Sequence, residues 1–299
     1  MRKLIIIGWD GATLDVADPW MDAGYLPNLA HVRQHGVVSP LESVILPVSG
    51  PAWSAFMTGK NPGKNGIYDF LKRRPNSYER RVMNSSDVDS ATLWEVVSAQ
   101  GGRVCVINVP GTYPPRPVNG ILVSGMLTPS TDVPYTHPPE FAETLQHILG
   151  GYRLSVTGGV ISPGKEPDFI ADVHAVLDQR TRLLDYLLAS EPFDLMTFVF
   201  FETDVMQHKF WGHHEDPSSP YRHAIRETYQ HADRALGHVL DTLDSDTTLF
   251  VVSDHGGGSL RKIVLLNRWL IENGFLKLKP QAAAGFKQWF ARYNPILKT

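Results

Sequence analysis

Four short stretches gather side chains able to hold a cation or attack an electrophile. They are Asp10 in GWDG, Ser49 in VSGPAW, Asp204 with His208 in ETDVMQHKFW, and Asp254 with His255 in SDHGGG. An aspartate directly after a hydrophobic strand closes a turn or caps a helix as readily as it binds an ion, so Asp10 alone is ambiguous. Adjacent Asp254 and His255 end the run TTLFVV and are followed by glycines that let other groups come close. That arrangement favours a ligand pair over a solvated turn. Asp204 and His208 are four residues apart and share one face if the segment is helical, which suits a surface ion pair and a ligand pair equally. Ser49 precedes Gly-Pro, as a cap or turn residue does. Near a helix N-terminus its hydroxyl would also lie in positive potential, beside N–H groups suited to phosphate. A serine nucleophile needs a base or a metal. No Gly-x-Ser-x-Gly elbow is present, so the metal route is the better supported.

These residues converge only if several strands end side by side, and strand and helix signals do alternate from the start, the pattern of an α/β fold with a mostly parallel sheet. Strands are predicted over 4–7, 103–109, 121–124, 194–201 and 247–252, with a further strand-like stretch running to Leu46. Helices are predicted over 27–35, 51–58, 92–100, 140–149, 172–190, about 221–243 and 266–273. Residues 60–90 read as loop, and a polar, His-rich loop is expected after Phe201. Asp10 and Asp254 fall just past strand ends and the Asp204 segment follows another, at the sheet edge where ligands bind in open α/β folds. No linker is evident before about Pro280, so residues 1–280 are expected to form one domain. Residues 112–170 would be an insertion or cap, and 281–299 the start of an interrupted element or a tail.

Composition narrows the classes. The 299 residues are 42% hydrophobic and 20% charged, with 28 Lys+Arg against 31 Asp+Glu, so the chain has a globular core and no basic footprint for nucleic acid. Cys105 is the single cysteine, which excludes an internal disulfide and predicts a buried thiol in RVCVINV. Any metal site must use carboxylate, imidazole or hydroxyl ligands. The apolar run before Gly8 is too short for a signal peptide and no stretch is long enough to span a membrane. A soluble, cytoplasmic protein without a membrane partner is the expectation. Oligomeric state has no signal in the sequence.

Taken together, the motifs resemble the alkaline phosphatase superfamily, in its type I phosphodiesterase/nucleotide pyrophosphatase-like branch. The resemblance rests on IIIGWDGAT, LPNL at 26–29, VSGPAWSAFMTGKNPGKNGIYDF at 48–70, TDVMQHKFW at 203–211 and VVSDHGGG at 251–258. It implies a three-layer α/β/α fold with a mostly parallel central sheet. It also implies a phosphate ester as small-molecule substrate and Ser49 as covalent nucleophile, in preference to Ser54. Asp10, Ser49, Asp254 and His255 match the ligands of one divalent metal, and Asp204 and His208 match two ligands of a second. Zinc suits these ligands, with manganese or magnesium as alternatives.

The chain departs from the pattern twice. Phe70, preceded by Asp69, stands where family phosphodiesterases place a phosphate-binding Asn, and Asn65-Gly66 replaces the usual His-Gly. Phosphate contacts are therefore expected from Asn65, Lys60 or Lys64. The family draws a further ligand of the second metal from a His well beyond the Asp-His-Gly motif, yet no His follows His255. A C-terminally short chain, a fragment of a longer one, is the expectation. Competing readings are a phosphomutase and an inactive metal- or phosphate-binding fragment. His213 and His214 are weak substitutes for the missing ligand. His223, His231 and His238 fit solvent or rim positions on one predicted helix.

Overall fold

A strand covered on both faces is apolar along nearly its whole length, and three runs come close to that: β1 (Lys3–Trp9), β4 (Val104–Ile107) and β7 (Leu195–Phe200), with Thr197 the one buried polar residue among them. In the computed structural model, which describes residues 3–156 and 159–279, these strands form the centre of a six-stranded sheet. The sheet is completed by β5 (Gly120–Val123), β6 (Thr136–His137) and β8 (Thr247–Val252), in the order β6-β5-β4-β7-β1-β8. Every pairing is parallel except that of β5 with β6. A separate antiparallel hairpin pairs β2 (Leu71–Arg73) with β3 (Arg80–Val82). The described chain divides after Gly258, and every residue singled out above lies in the first unit. The second unit contains the helix Leu266–Glu272, and residues 281–299 lie outside the described residues.

The helices of the first unit are α1 (Leu14–Asp22), α2 (Pro27–His35), α3 (Ser49–Thr58), α4 (Pro62–Asn65), α5 (Leu93–Ala99), α6 (Phe141–Leu149), α7 (Glu166–Ser190), α8 (Glu202–Glu215) and α9 (Ala224–Leu240). Strand alternation sends Ile5 and Ile7 to one face and Ile6 to the other. Two separate cores follow. Ile5, Ile7, Phe198 and Phe200 pack with α1, α7, α8 and α9, while Ile6, Val106 and Val199 pack with Trp53 and Met57 of α3 and Trp94 of α5. The architecture is thus α/β/α, as expected. Cys105 is buried in β4, and burial pushes its thiol well above the usual range.

Several expectations are corrected. Residues 36–46 form no strand: Val37 and Ile45 are almost fully exposed, and no neighbouring strand takes up their backbone groups. The His-rich segment after β7 is a helix, because Met206 and Phe210 recur four apart and bury one face. Residues 60–90 hold α4, the β2–β3 hairpin and a single 3-10 turn at Ser85–Asp87, whose Asn84 and Asp87 form a capping box. β8 is less buried than its apolar run suggests: it pairs with β1 alone among the described strands, and Phe250 is 52% exposed. Part of the 112–170 stretch belongs to the sheet, since β5 pairs in register with β4. Helix α1, capped by Thr13, has no counterpart in the sequence reading.

Between α7 and α9 the ring of His174 stacks on His231 with centroids 4.2 Å apart. Burial first, then the nearby His231 and Arg234, lower the His174 pKa to about 4 against the pull of Asp178. The folded state therefore binds this proton less well than the unfolded chain. The contribution is intact above the ordinary value of 6.5 and is lost as pH falls toward 4. We expect His174→Phe, which keeps a stacking ring, to gain melting temperature relative to wild type as pH drops through that window. Thermal scans of both proteins across it check this, and a constant difference would contradict it.

Candidate metal centre and nucleophile

The strand order β7-β1-β8 brings three chain segments to one edge. Asp10 extends β1, its N–H bonded to Phe200 O at 3.0 Å. Gly11 then turns with φ +65°, and its N–H donates to Asp254 Oδ1 at 3.2 Å. A side chain at Gly11 is excluded, because a Cβ would lie 2.6 Å from Asp204 Oδ1. Helix α8 is fastened to the same turn: Thr203 Oγ1 donates to Asp10 O at 2.6 Å and Gln207 Nε2 to Gly11 O at 2.7 Å. On the far side of Gln207, its Oε1 fills the space a Cβ of Gly257 would need, at 2.3 Å. Gly257 thus lets the β8 loop close against α8. Ser43 Oγ holds the loop from the other side by donating to Asp254 O at 2.6 Å.

Ser49 is the first residue of α3, after an extended Val48. Its Oγ lies 3.1 Å from Asp10 Oδ1 and 3.1 Å from His255 Nε2. His255 Nε2 is 3.6 Å from Asp10 Oδ1 and 3.4 Å from Asp254 Oδ2. One ligand atom from each of Asp10, Asp254 and His255 falls within 4.8 Å of the others. Asp204 Oδ2 meets His208 Nε2 at 3.3 Å, with His208 largely exposed and Asp204 mostly buried. Trp53 Nε1 donates to Asp10 Oδ2 at 2.6 Å.

Among the described residues no lysine or arginine pairs with these aspartates. Burial first, then the charges of Asp254 and Asp204, raise the Asp10 carboxyl well above the usual carboxylate range. Burial pushes Asp254 up to about 6, against the opposing pull of His255. Asp254 Oδ2 is buried without a hydrogen-bond partner. His255 Nδ1 faces Gly256 O at 2.9 Å, and a carbonyl can only accept. That assigns the proton of a neutral ring to Nδ1 and leaves the Nε2 lone pair facing the carboxylates. Among the described residues, the ion pairs of these three aspartates involve histidines alone. Two carboxylates and an imidazole lone pair converging on one spot fit a divalent cation. Asp204 and His208 offer two further ligands beside it.

The residues expected to contact phosphate are placed differently. Asn65 is fully buried: its Nδ2 donates to Lys60 O at 2.9 Å and its Oδ1 accepts from Ile67 N at 3.0 Å, so the amide braces its own loop. Lys60 and Lys64 are exposed. Phe70 stands beside Gly50, its ring carbon 3.0 Å from where a Cβ would be, and gives the residue after Ser49 an apolar neighbour. His213 bonds Ser219 Oγ at 2.8 Å, while His231 and His238 pair with Asp178 and Asp185. Sequence reasoning missed Trp53, Thr203, Gln207 and Ser43. The first had a signal: it lies one helical turn from Ser49, on the same face.

Solved structures share this architecture. Phosphonoacetate hydrolase from Sinorhizobium meliloti 1021 bound to phosphonoacetate aligns with a TM-score of 0.64 at 19% identity, covering 92% of this chain and 62% of that one. The same enzyme with phosphonoformate gives 0.60 at 21%, covering 85% and 56%. Human ectonucleotide pyrophosphatase/phosphodiesterase 5 gives 0.50 at 17%, covering 85% and 57%. The chain therefore spans less than two thirds of the length of these structures. Among curated proteins none matches the chain. The fold is the one these structures share, a mostly parallel sheet flanked by helices. More narrowly, residues 4–295 match the type I phosphodiesterase/nucleotide pyrophosphatase family, and the chain belongs to it. Among the described residues, no helix is long and apolar enough to cross a membrane.

The crowding of carboxylates has a thermodynamic signature. A carboxyl whose folded pKa is raised gives stability that is lost as pH rises through the folded value, here about 6 for Asp254. Asp254→Asn keeps an oxygen for Gly11 N–H and removes a buried charge. At neutral pH without metal it is expected to melt a few degrees above wild type, at roughly 2–4 °C per kcal/mol. Wild type should gain stability on adding zinc or manganese, and the variant should lose most of that gain. Melting curves with and without metal test both signs, and equal metal-induced shifts would contradict the assignment.

Proposed function

We propose that this chain hydrolyses phosphate esters through a covalent phosphoserine at Ser49, with two divalent cations, zinc first and manganese or magnesium as alternatives. The observation that carries the reading is the position of Ser49 Oγ, 3.1 Å from both Asp10 Oδ1 and His255 Nε2 at the start of a helix. Asp10, Asp254, His255 and Ser49 would hold one cation, and Asp204 and His208 would contribute to the other. When bound, such ions neutralise phosphoryl charge and lower the pKa of a hydroxyl or water.

The side chains do the positioning. Asp10 Oδ1 orients the Ser49 hydroxyl, and the α3 register holds Oγ in front of the cluster. The first turn of α3 leaves the Ser49 and Gly50 N–H groups without an intrahelical acceptor, available to the phosphoryl oxygens. In the first half-reaction Ser49 Oγ gives up its proton toward Asp10 Oδ1, the Oγ–P bond forms as the ester P–O bond breaks, and the leaving oxygen takes up a proton and departs as the alcohol. In the second, water attacks phosphorus, the P–Oγ bond breaks, and Ser49 regains its proton. A diester yields a monoester and a monoester yields phosphate. The apolar Phe70 beside Gly50, with Asn65 committed to its own loop, leaves Lys60 and Lys64 as the candidate phosphate contacts of those three.

A second reading is favoured by one observation. Among the described residues only Asp10, Asp254 and His255 form a ligand group of three, while Asp204 and His208 remain a pair. On that reading the chain binds one metal ion and phosphate without turnover. Metal analysis separates the two, since two tightly bound equivalents favour the enzyme and one favours the binding module.

The decisive variant for the enzyme is Ser49→Ala. It should lower turnover of aryl phosphate mono- or diesters on the order of 10³-fold or more, while metal-induced stabilisation is largely kept. In oxygen-labelled water, hydrolysis should place solvent oxygen in the released phosphate. Undiminished metal-dependent activity in Ser49→Ala would remove the covalent mechanism.

A further inference from the structure

We propose that Trp53 is a positioning residue that makes Asp10 a one-oxygen metal ligand, and that Gly8 is glycine in order to admit its ring. The inference rests on the metal-site reading given above.

Ser49 and Trp53 lie one helical turn apart on the same face of α3. That face presents two donors to one carboxylate, Ser49 Oγ at 3.1 Å from Oδ1 and Trp53 Nε1 at 2.6 Å from Oδ2. Asp10 and Trp53 are both fully buried, so water is excluded as a competing partner. An indole N–H only donates, and the oxygen that accepts it here is Oδ2. Oδ2 is thereby occupied from the core side. Oδ1, the oxygen 3.6 Å from His255 Nε2, is left toward the ligand cluster. Ligand carboxylates held this way are pre-oriented, and loss of such partners typically weakens metal binding.

The indole reaches Asp10 by crossing β1 at Gly8, two residues earlier on the same strand face. A Cβ at Gly8 would lie 2.4 Å from Trp53 Cη2 and 3.2 Å from Cζ2, well inside contact distance. The body of the ring belongs to the core that holds Ile6, Met57 and Val199, and it meets Phe56 edge-on with centroids 5.2 Å apart. A hydrophobic core position could be filled by any large apolar side chain. Only a donor at this edge of the ring satisfies Oδ2.

The test separates the N–H from the ring. In the full chain, Trp53 is replaced site-specifically by 3-benzothienylalanine, which keeps the ring shape and puts sulfur in place of the N–H. Trp53→Phe and Gly8→Ala serve as genetic counterparts. Zinc affinity is read by competition with a chromophoric chelator, and metal-free stability by thermal melting. The isostere is expected to bind zinc about 10–100-fold more weakly with little change in metal-free melting. Its kcat should fall more than its KM. Gly8→Ala should show the same weakening by pushing the ring away from Asp10. If wild type binds zinc and the isostere binds it equally well, the positioning role is overturned while the metal site stands. If wild type binds no zinc, the metal-site reading fails and this role fails with it.

Discussion

The structure is organised around a concentration of like charge that it does not neutralise. The charges of Asp254 and Asp204 raise the Asp10 carboxyl from within a largely buried site, and the nitrogen nearest Asp10 and Asp254 offers a lone pair. Burying carboxylates together is costly unless a cation or protons compensate. The site answers with raised proton affinity at Asp10 and Asp254, and the same carboxylates stand where a divalent cation could be held. Hydrogen bonds that would be idle in an ordinary core, from Gly11 N–H and the Trp53 indole, hold two of the three carboxylates where repulsion would otherwise spread them.

Sheet topology creates this crowding. Asp10 follows β1, Asp204 lies near the start of the helix that follows β7, and Asp254 closes β8. Because β1 pairs in parallel with both neighbours, all three segments arrive at one edge. Glycines make the approach possible at two points, where a Cβ on Gly11 would meet Asp204 and one on Gly257 would meet Gln207. Ser49 enters from a helix on one side of the sheet and Asp204 from a helix beside the other core, so the two face the cluster from different layers.

Much of this was legible from residue patterns. The central strands were plain because parallel, doubly covered strands are nearly continuous apolar runs, as LIIIGW and, but for Thr197, LMTFVF show. Asp-His-Gly at a strand end and the four-residue spacing of Asp204 and His208 pointed to ligands. What stayed hidden depended on partners distant in sequence. The 36–46 stretch is apolar enough for a strand, but no edge receives it. The segment after β7 looked like polar loop because its surface is rich in histidine, although Met206 and Phe210 bury its inner face. Asn65 reads as a phosphate ligand by position, and only the fold reveals that Ile67 N–H and Lys60 O occupy its amide. For Trp53 the sequence offers only its one-turn spacing from Ser49, and PAWSAF does not indicate that its ring edge meets a carboxylate beside β1.

The central claim, that the Asp-His cluster serves a serine nucleophile, is tested most directly by rapid acid quench of the metal-loaded chain during turnover of an aryl phosphate, followed by peptide mass spectrometry. The account predicts one phosphoryl group on the peptide containing Ser49, formed within the first turnover and lost as substrate is exhausted. Steady turnover with no phosphoryl group on Ser49, or with the label on another residue, would contradict it.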